Sequence, residues 1–159
     1  DLFSIQTNMT LSSNKNKNIF SMLDGKLFNY GETNISFSPS FIASNSIIYN
    51  PSDKMSFSFL SKYVGKQYMG NTDQPNSVLE SYFVNDLNIS YLLEPKKTFQ
   101  SISINLLINN ILNKEYLSNG YYYTYDDTWS VPGQTTTLDG AGYYPQATRN
   151  FLAGLVFEF

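Results

Sequence analysis

An all-β fold, an antiparallel transmembrane β-barrel section of about six strands, is predicted for this chain by three observations. Six segments alternate apolar or aromatic residues with uncharged polar ones at a period of two, which puts the two kinds on opposite faces of a strand. These segments run to roughly 11 to 16 residues, against about 5 to 6 for an ordinary strand. The connections alternate between short and long, so every short turn falls at one end of the sheet. A soluble antiparallel sandwich shares the periodicity but not the strand length, the Ser/Asn-rich polar face or the loop asymmetry. It remains the alternative fold, as a carbohydrate-binding module.

Composition narrows the chemistry. Of 159 residues, 42% are apolar and 16% aromatic, with 13 Tyr and 12 Phe but 1 Trp, a bias that suits pleated surfaces. Charged residues reach only 14%, well under the ~25% of a typical soluble domain, while the mean hydropathy stays at -0.28 because Ser, Asn and Thr replace the charges. A net charge of -3 provides no basic footprint for nucleic acid. With no Cys and no His, disulfides, thiolate or imidazole metal ligands and the usual nucleophile–base pairs are excluded, so a non-enzymatic role without cofactor or metal is expected. No apolar run approaches the ~20 residues of a spanning helix, so any span must be made of strands. Asp1 is not followed by a charged-then-apolar leader, and a secretory signal is expected to be already removed or to lie upstream.

The elements follow in order. In the first strand, from Leu2 to Thr10, Phe3, Ile5 and Met9 alternate with Ser4, Gln6, Asn8 and Thr10. A second strand, Asn34 to Tyr49, sets Ile35, Phe37, Phe41, Ala43, Ile47 and Tyr49 against Ser36, Ser38, Ser40, Ser44 and Ser46, with Pro39 predicting a bulge. Asn50 to Lys54 is a tight turn, and Met55, Phe57, Phe59 and Tyr63 continue on odd numbers. A hairpin centred near Ser52 would pair Tyr49 with Met55, Ile47 with Phe57 and Phe41 with Tyr63. The fourth strand, Leu79 to Leu93, carries Phe83, Leu87, Ile89 and Tyr91 on one face and Glu80, Asp86, Asn88 and Ser90 on the other.

A hairpin centred near Gln74 would place Asp86 opposite Lys62 on the polar face, beside Lys66, as an ion pair inside a wet barrel. After the turn Glu94 to Lys97, apolar residues move to even numbers (Ile102, Ile104, Leu106, Ile108), as a hairpin loop of even length requires. A long loop from Asn113 to Ala141 precedes the last strand, Tyr143 to Phe159. Within that loop Tyr121, Tyr122, Tyr123, Tyr125, Asp126, Asp127 and Trp129 are candidate ligand contacts, because tyrosines offer flat amphipathic area and carboxylates bind cations. The alternative for these residues is an ordinary loop whose aromatics stack on neighbouring loops. Three Asn-x-Ser/Thr matches, at Asn8, Asn34 and Asn88, fall in strand segments and read as chance.

Asn109-Asn-Ile-Leu-Asn-Lys-Glu-Tyr116, then a long loop, then Tyr143-Tyr-Pro-Gln-Ala-Thr-Arg-Asn-Phe151 running to Phe159, resembles the end of TonB-dependent outer-membrane receptors, in wording similar to those of Bacteroidetes. Leu79 to Leu87 resembles an upstream strand, so the likeness covers roughly residues 34–159. The resemblance implies that residues 1–159 are the carboxy-terminal section of a larger 22-stranded barrel whose plug and remaining strands lie elsewhere, in the same or a companion chain. It implies a bacterial outer-membrane location, with the carboxyl terminus periplasmic.

The implied function is import of a scarce bulky nutrient, a metal chelate, siderophore or cobalamin, with energy transmitted by TonB. A passive porin-like barrel is the alternative. Implied partners are the plug and rest of the barrel, the TonB complex, the lipid bilayer, the barrel-assembly machinery and a surface lipoprotein. Gly154, Phe157 and Phe159 resemble the terminal assembly signal. Leu152, where the family often has a polar residue, departs from it.

Overall fold

The computed structural model describes residues 1–95 and 99–159. Its strands are β1 (Phe3–Leu11), β2 (Lys15–Leu23), β3 (Lys26–Asn34), β4 (Phe41–Ser52), β5 (Met55–Val64), β6 (Gln67–Tyr68), β7 (Val78–Leu79), β8 (Tyr82–Leu93), β9 (Ser101–Asn109), β10 (Leu117–Asp127), β11 (Thr136–Pro145) and β12 (Asn150–Glu158). Six of them form one antiparallel sheet in the order β1-β4-β5-β8-β9-β12. β2 with β3, β6 with β7 and β10 with β11 make three separate two-stranded ribbons, each inserted in a connection at the same end of that sheet. No helix among the described residues is long and apolar enough to cross a membrane.

The alternation read in the sequence becomes two faces. Phe3↔Tyr49↔Phe57↔Ile89 and Ile5↔Ile47↔Phe59↔Leu87 are rows of directly opposed residues on the apolar face. Leu87↔Ile108↔Phe151 carries the face onto β9 and β12, where odd residues meet even ones, the predicted parity change. At the short-turn end, rings of Phe3 and Tyr49 stack at 4.6 Å, and Phe99 touches Phe157 at 5.3 Å and Phe159 at 5.0 Å. The other face bears Ser44, Ser46, Ser58, Lys62, Asp86, Asn88, Ser90 and Asn105, where Ser90 Oγ donates to Asn105 Oδ1 at 2.8 Å. One polar row interrupts the apolar face. It runs Thr7↔Asn45↔Ser61↔Asn85, internally bonded by Thr7 Oγ1 to Asn45 Oδ1 at 3.1 Å and Ser61 Oγ to Asn85 Oδ1 at 2.7 Å.

A sheet with both faces open has little core of its own. Among the described residues the buried apolar ones are Val64, Met69, Leu79 and Val84, at the loop end of the sheet and in the connection beyond it. Phe3, Ile5, Leu11, Phe151, Leu155 and Phe157 remain exposed. β1 and β12 end the sheet, so each presents one unpaired edge among the described residues.

Several boundaries and registers differ from the sequence reading. The strand predicted from Asn34 begins at Phe41, because residues 35–40 make a turn with Phe37 at φ 52. Pro39 lies in that turn, so its missing N–H removes no ladder bond. The β4–β5 hairpin turns at Asp53 and Lys54, and with the irregularity between Tyr49 and Ser52 the pairing lies two residues from the predicted one. Tyr49 therefore faces Phe57, Ile47 faces Phe59 and Ala43 faces Tyr63, and because the shift is even every side chain keeps its face.

The same offset corrects the ion pair: Lys62 faces Val84, and Asp86 faces Leu60. β8 starts at Tyr82, because Val78–Leu79 pair with Gln67–Tyr68 instead. Tyr143 to Pro145 belong to β11, and the last strand starts at Asn150. The predicted turn Glu94 to Lys97 lies partly outside the described residues, at 96–98. On its described side, Glu94 Oε2 holds Lys54 Nζ at 2.8 Å.

Candidate ligand-facing loop cluster

The three long connections pack on one another, and residues 65–81 are the keystone. Pro75–Ser77 form one 3-10 turn, with Ser77 fully buried and Leu79 almost so. On one side this segment holds the base of the β2–β3 ribbon. Asp73 accepts from the Asn34 N–H at 2.9 Å through Oδ1 and from Asn34 Nδ2 at 2.8 Å through Oδ2. Thr33 Oγ1 donates to the Asn71 carbonyl at 2.7 Å, and the Ser36 N–H donates to Asn71 Oδ1 at 2.9 Å. On the other side it holds β10–β11: Tyr143 OH donates to the Asn76 carbonyl at 3.0 Å, and Asn76 Nδ2 donates to Asp139 at 3.1 Å.

The ribbon tips meet directly. Asp24 and Gly25 turn the β2–β3 ribbon with φ 51 and 71, the backbone a two-residue Asp-Gly hairpin needs. The Asp24 N–H donates to Thr137 Oγ1 at 2.7 Å, the Thr137 N–H donates to Asp24 Oδ1 at 2.8 Å, and Thr137 Oγ1 donates to Asp126 Oδ1 at 2.7 Å. Between the ribbons lies a cleft of about 580 Å³ lined by Tyr30, Asn71, Gln74, Tyr122, Thr124 and Asp139, among others.

The candidate contact residues divide between two faces and a turn. Tyr122 points into the cleft, and its hydroxyl donates to Asp139 Oδ2 at 3.2 Å. Burial, reinforced by the Asp139 carboxylate, pushes that phenol up to about 12. Tyr121, Tyr123 and Tyr125 project from the opposite face of β10, with successive ring centroids 6.2 and 6.3 Å apart, and Trp129 extends the row at 6.3 Å.

Both acids have structural partners. Asp126 is engaged by Thr137. Asp127 Oδ1 accepts from the N–H groups of Trp129 and Ser130, both at 3.0 Å, folding the turn that brings Trp129 into line. Bonds from the Ser130 side chain and backbone, then from the Trp129 N–H, hold the Asp127 carboxyl below the ordinary carboxylate range. Among the described residues no group of three or more acidic side chains is arranged to hold a metal.

Elsewhere, Lys62 and Asp86 share the polar face as diagonal neighbours lining one recess, and Asp86 Oδ1 accepts the Asn110 N–H at 2.7 Å. Asn110, at φ 51, is the hub of the Asn109 to Tyr116 motif. Its Nδ2 donates to the Lys114 carbonyl at 2.8 Å and the Ala147 carbonyl at 3.2 Å, and its Oδ1 accepts the Lys114 N–H at 2.8 Å. Asn113 Oδ1 accepts the Arg149 N–H at 3.0 Å, and Asn109 Nδ2 donates to Asn150 Oδ1 at 2.8 Å. The motif thus closes the neck of the β10–β11 ribbon. At the chain end, Phe157 lies on the apolar face and Gly154 on the other, while Phe159 is exposed and its ring packs at a tilt against Phe99.

Sequence reasoning passed over Asp24, Asn71, Asp73, Asn76 and Asp139. The Asp24-Gly25 pair was a legible turn signal; the remaining four act across separations of 17 to 67 residues that no local pattern reports.

This geometry has solved counterparts. The siderophore receptor PiuA from Acinetobacter baumannii superposes with a TM-score of 0.64 at 19% identity, and the ferric-catecholate import receptor Fiu from E. coli K12 with 0.63 at 14%. The fold, all-β with antiparallel sheets, is similar to TonB-dependent receptor barrels. In both cases the match covers 98% of this chain but 19% of the other, so this chain spans about a fifth of the receptors it is similar to. No protein-family model and no curated protein matches the sequence.

Proposed function

We propose that these 159 residues are the carboxy-terminal wall of a TonB-dependent outer-membrane receptor that imports a siderophore-like metal chelate. The observation that carries this reading is the six-stranded meander with an uncovered apolar face, aromatic rings at its short-turn end and three interlocked ribbons at the other. An apolar face this wide suits lipid. The two unpaired edges are completed by the strands of the rest of the barrel. The short-turn end, with the carboxyl terminus, is periplasmic; the loop cluster is extracellular and supplies part of the binding surface. The plug and the TonB contact lie in the remainder of the receptor. Phe157 and Phe159, with Gly154, form the terminal signal for the barrel-assembly machinery.

A ferric chelate is the favoured cargo over cobalamin because one solved counterpart is a siderophore receptor and the other a ferric-catecholate import receptor. The test is uptake of radiolabelled ferric catecholate by cells expressing the full receptor, with and without functional TonB. Energy-dependent uptake that vanishes with the receptor supports the reading. Uptake unaffected by loss of TonB points to the passive porin-like barrel instead.

A further inference from the structure

We propose that Tyr121, Tyr123, Tyr125 and Trp129 form a binding platform for a linear, uncharged saccharide. The four rings lie in one row with interplanar angles of 21°, 24° and 10°, and they are 52%, 50%, 43% and 69% exposed. They are held in place from below. Opposite Tyr121 and Tyr123 in the ribbon stand Gly142 and Gly140. A Cβ at Gly140 would come within 2.6 Å of the Tyr123 ring, and one at Gly142 would overlap the Tyr121 ring. The absent side chains let each ring lie close over its partner strand, leaving its other side free. The Asp127 turn fixes Trp129 at the end of the row.

The chemistry of this face selects the ligand. Besides the four rings it carries Asn119, Leu138, Thr136 and Tyr144, and its acid, Asp127, is 9% exposed and turned onto its own backbone. A face without free charge gives an anionic iron chelate nothing to pair with. The row follows the strand for about 20 Å at the usual rise per residue, too long for one compact planar ligand to use. A hexose presents a flat patch of C–H bonds, which the negative face of an aromatic ring attracts, and a rim of hydroxyls that phenol groups can bond. A chain of such units meets successive rings at low entropic cost, because the rings are already held. The saccharide comes either from a free oligosaccharide or from the polysaccharide of a neighbouring surface lipid.

The inference stands on the ribbon and not on the transported cargo. The experiment is calorimetric titration of the full-length receptor in detergent with maltohexaose, cellohexaose and the neutral oligosaccharide released from the strain's own lipopolysaccharide. At least one is expected to bind, with at least tenfold weaker affinity in the Tyr123→Ala, Tyr125→Ala double variant and near-native affinity in Tyr123→Phe. Which probe binds separates the two sources. Failure of all three probes, or equal affinity in the alanine variant, overturns the proposal. So does protection of these tyrosines from iodination in the unliganded receptor, which would mean that other loops cover the row. Chelate uptake measured on the same variants keeps this outcome apart from the transport reading.

Discussion

Asp24 and Thr137, 113 residues apart, bond each other twice: the Asp24 N–H to Thr137 Oγ1 at 2.7 Å and the Thr137 N–H to Asp24 Oδ1 at 2.8 Å. The clasp joins two ribbons that leave the sheet separately, and it turns three loops into one body. Thr137→Val keeps shape and removes the hydroxyl that serves Asp24 and Asp126. The expected cost is about 1 kcal/mol, some fivefold faster amide exchange at both ribbon tips. Unchanged exchange at residues 23–26 would show that the clasp does not couple them.

Asn110 is predicted to be the most sensitive polar residue at the ribbon neck. Asn110→Ala removes three side-chain hydrogen bonds and leaves a left-handed backbone that Ala tolerates poorly. The expected loss is about 2 to 3 kcal/mol, read as a lower denaturant midpoint of the full receptor. Asn109→Ala, with one side-chain bond to Asn150, is expected to cost less.

The cleft responds to alkaline pH. The Tyr122 phenol is raised from 10.0 to about 12, so the folded state prefers it protonated. Its contribution is complete below pH 10 and is lost as pH rises toward 12. Difference ultraviolet titration of the receptor against Tyr122→Phe should show one phenol ionising later than the exposed tyrosines. A difference spectrum centred near the ordinary value would contradict the described Asp139 contact.

Asp127 gives the opposite sign. Its depressed carboxyl contributes stability above the ordinary carboxylate value, and this is lost as pH falls through the lower folded value. Trp129 fluorescence, compared with Asp127→Asn, should therefore change only under distinctly acidic conditions. A transition in the ordinary carboxylate range would mean that the turn is not held by Asp127.

How much of this was legible divides along range. Strand parity, the even-numbered face of β9 and the end that carries the short turns were readable, because a period of two and turn composition are local. The register of Tyr49 and the position of Asp86 were not, since the turn at Asp53 and Lys54 with its irregularity before Ser52, and the folded connection at 65–81, each displaced a pairing by two residues. The tyrosine run was visible as composition, but its division into Tyr122 inside the cleft and three rings outside depends on β10 being a strand and not a loop. The Asn109 to Tyr116 motif carried a resemblance, and only the structure gives its physical role as a neck.

The central claim, that this chain is one wall of a larger membrane barrel, is tested most directly by the denatured mass of the native polypeptide that carries it. Outer membranes would be separated under denaturing conditions and probed with an antibody against residues 117–145. The account predicts a band several times heavier than 18.1 kDa in the outer-membrane fraction. A band near 18.1 kDa in the soluble fraction would contradict it.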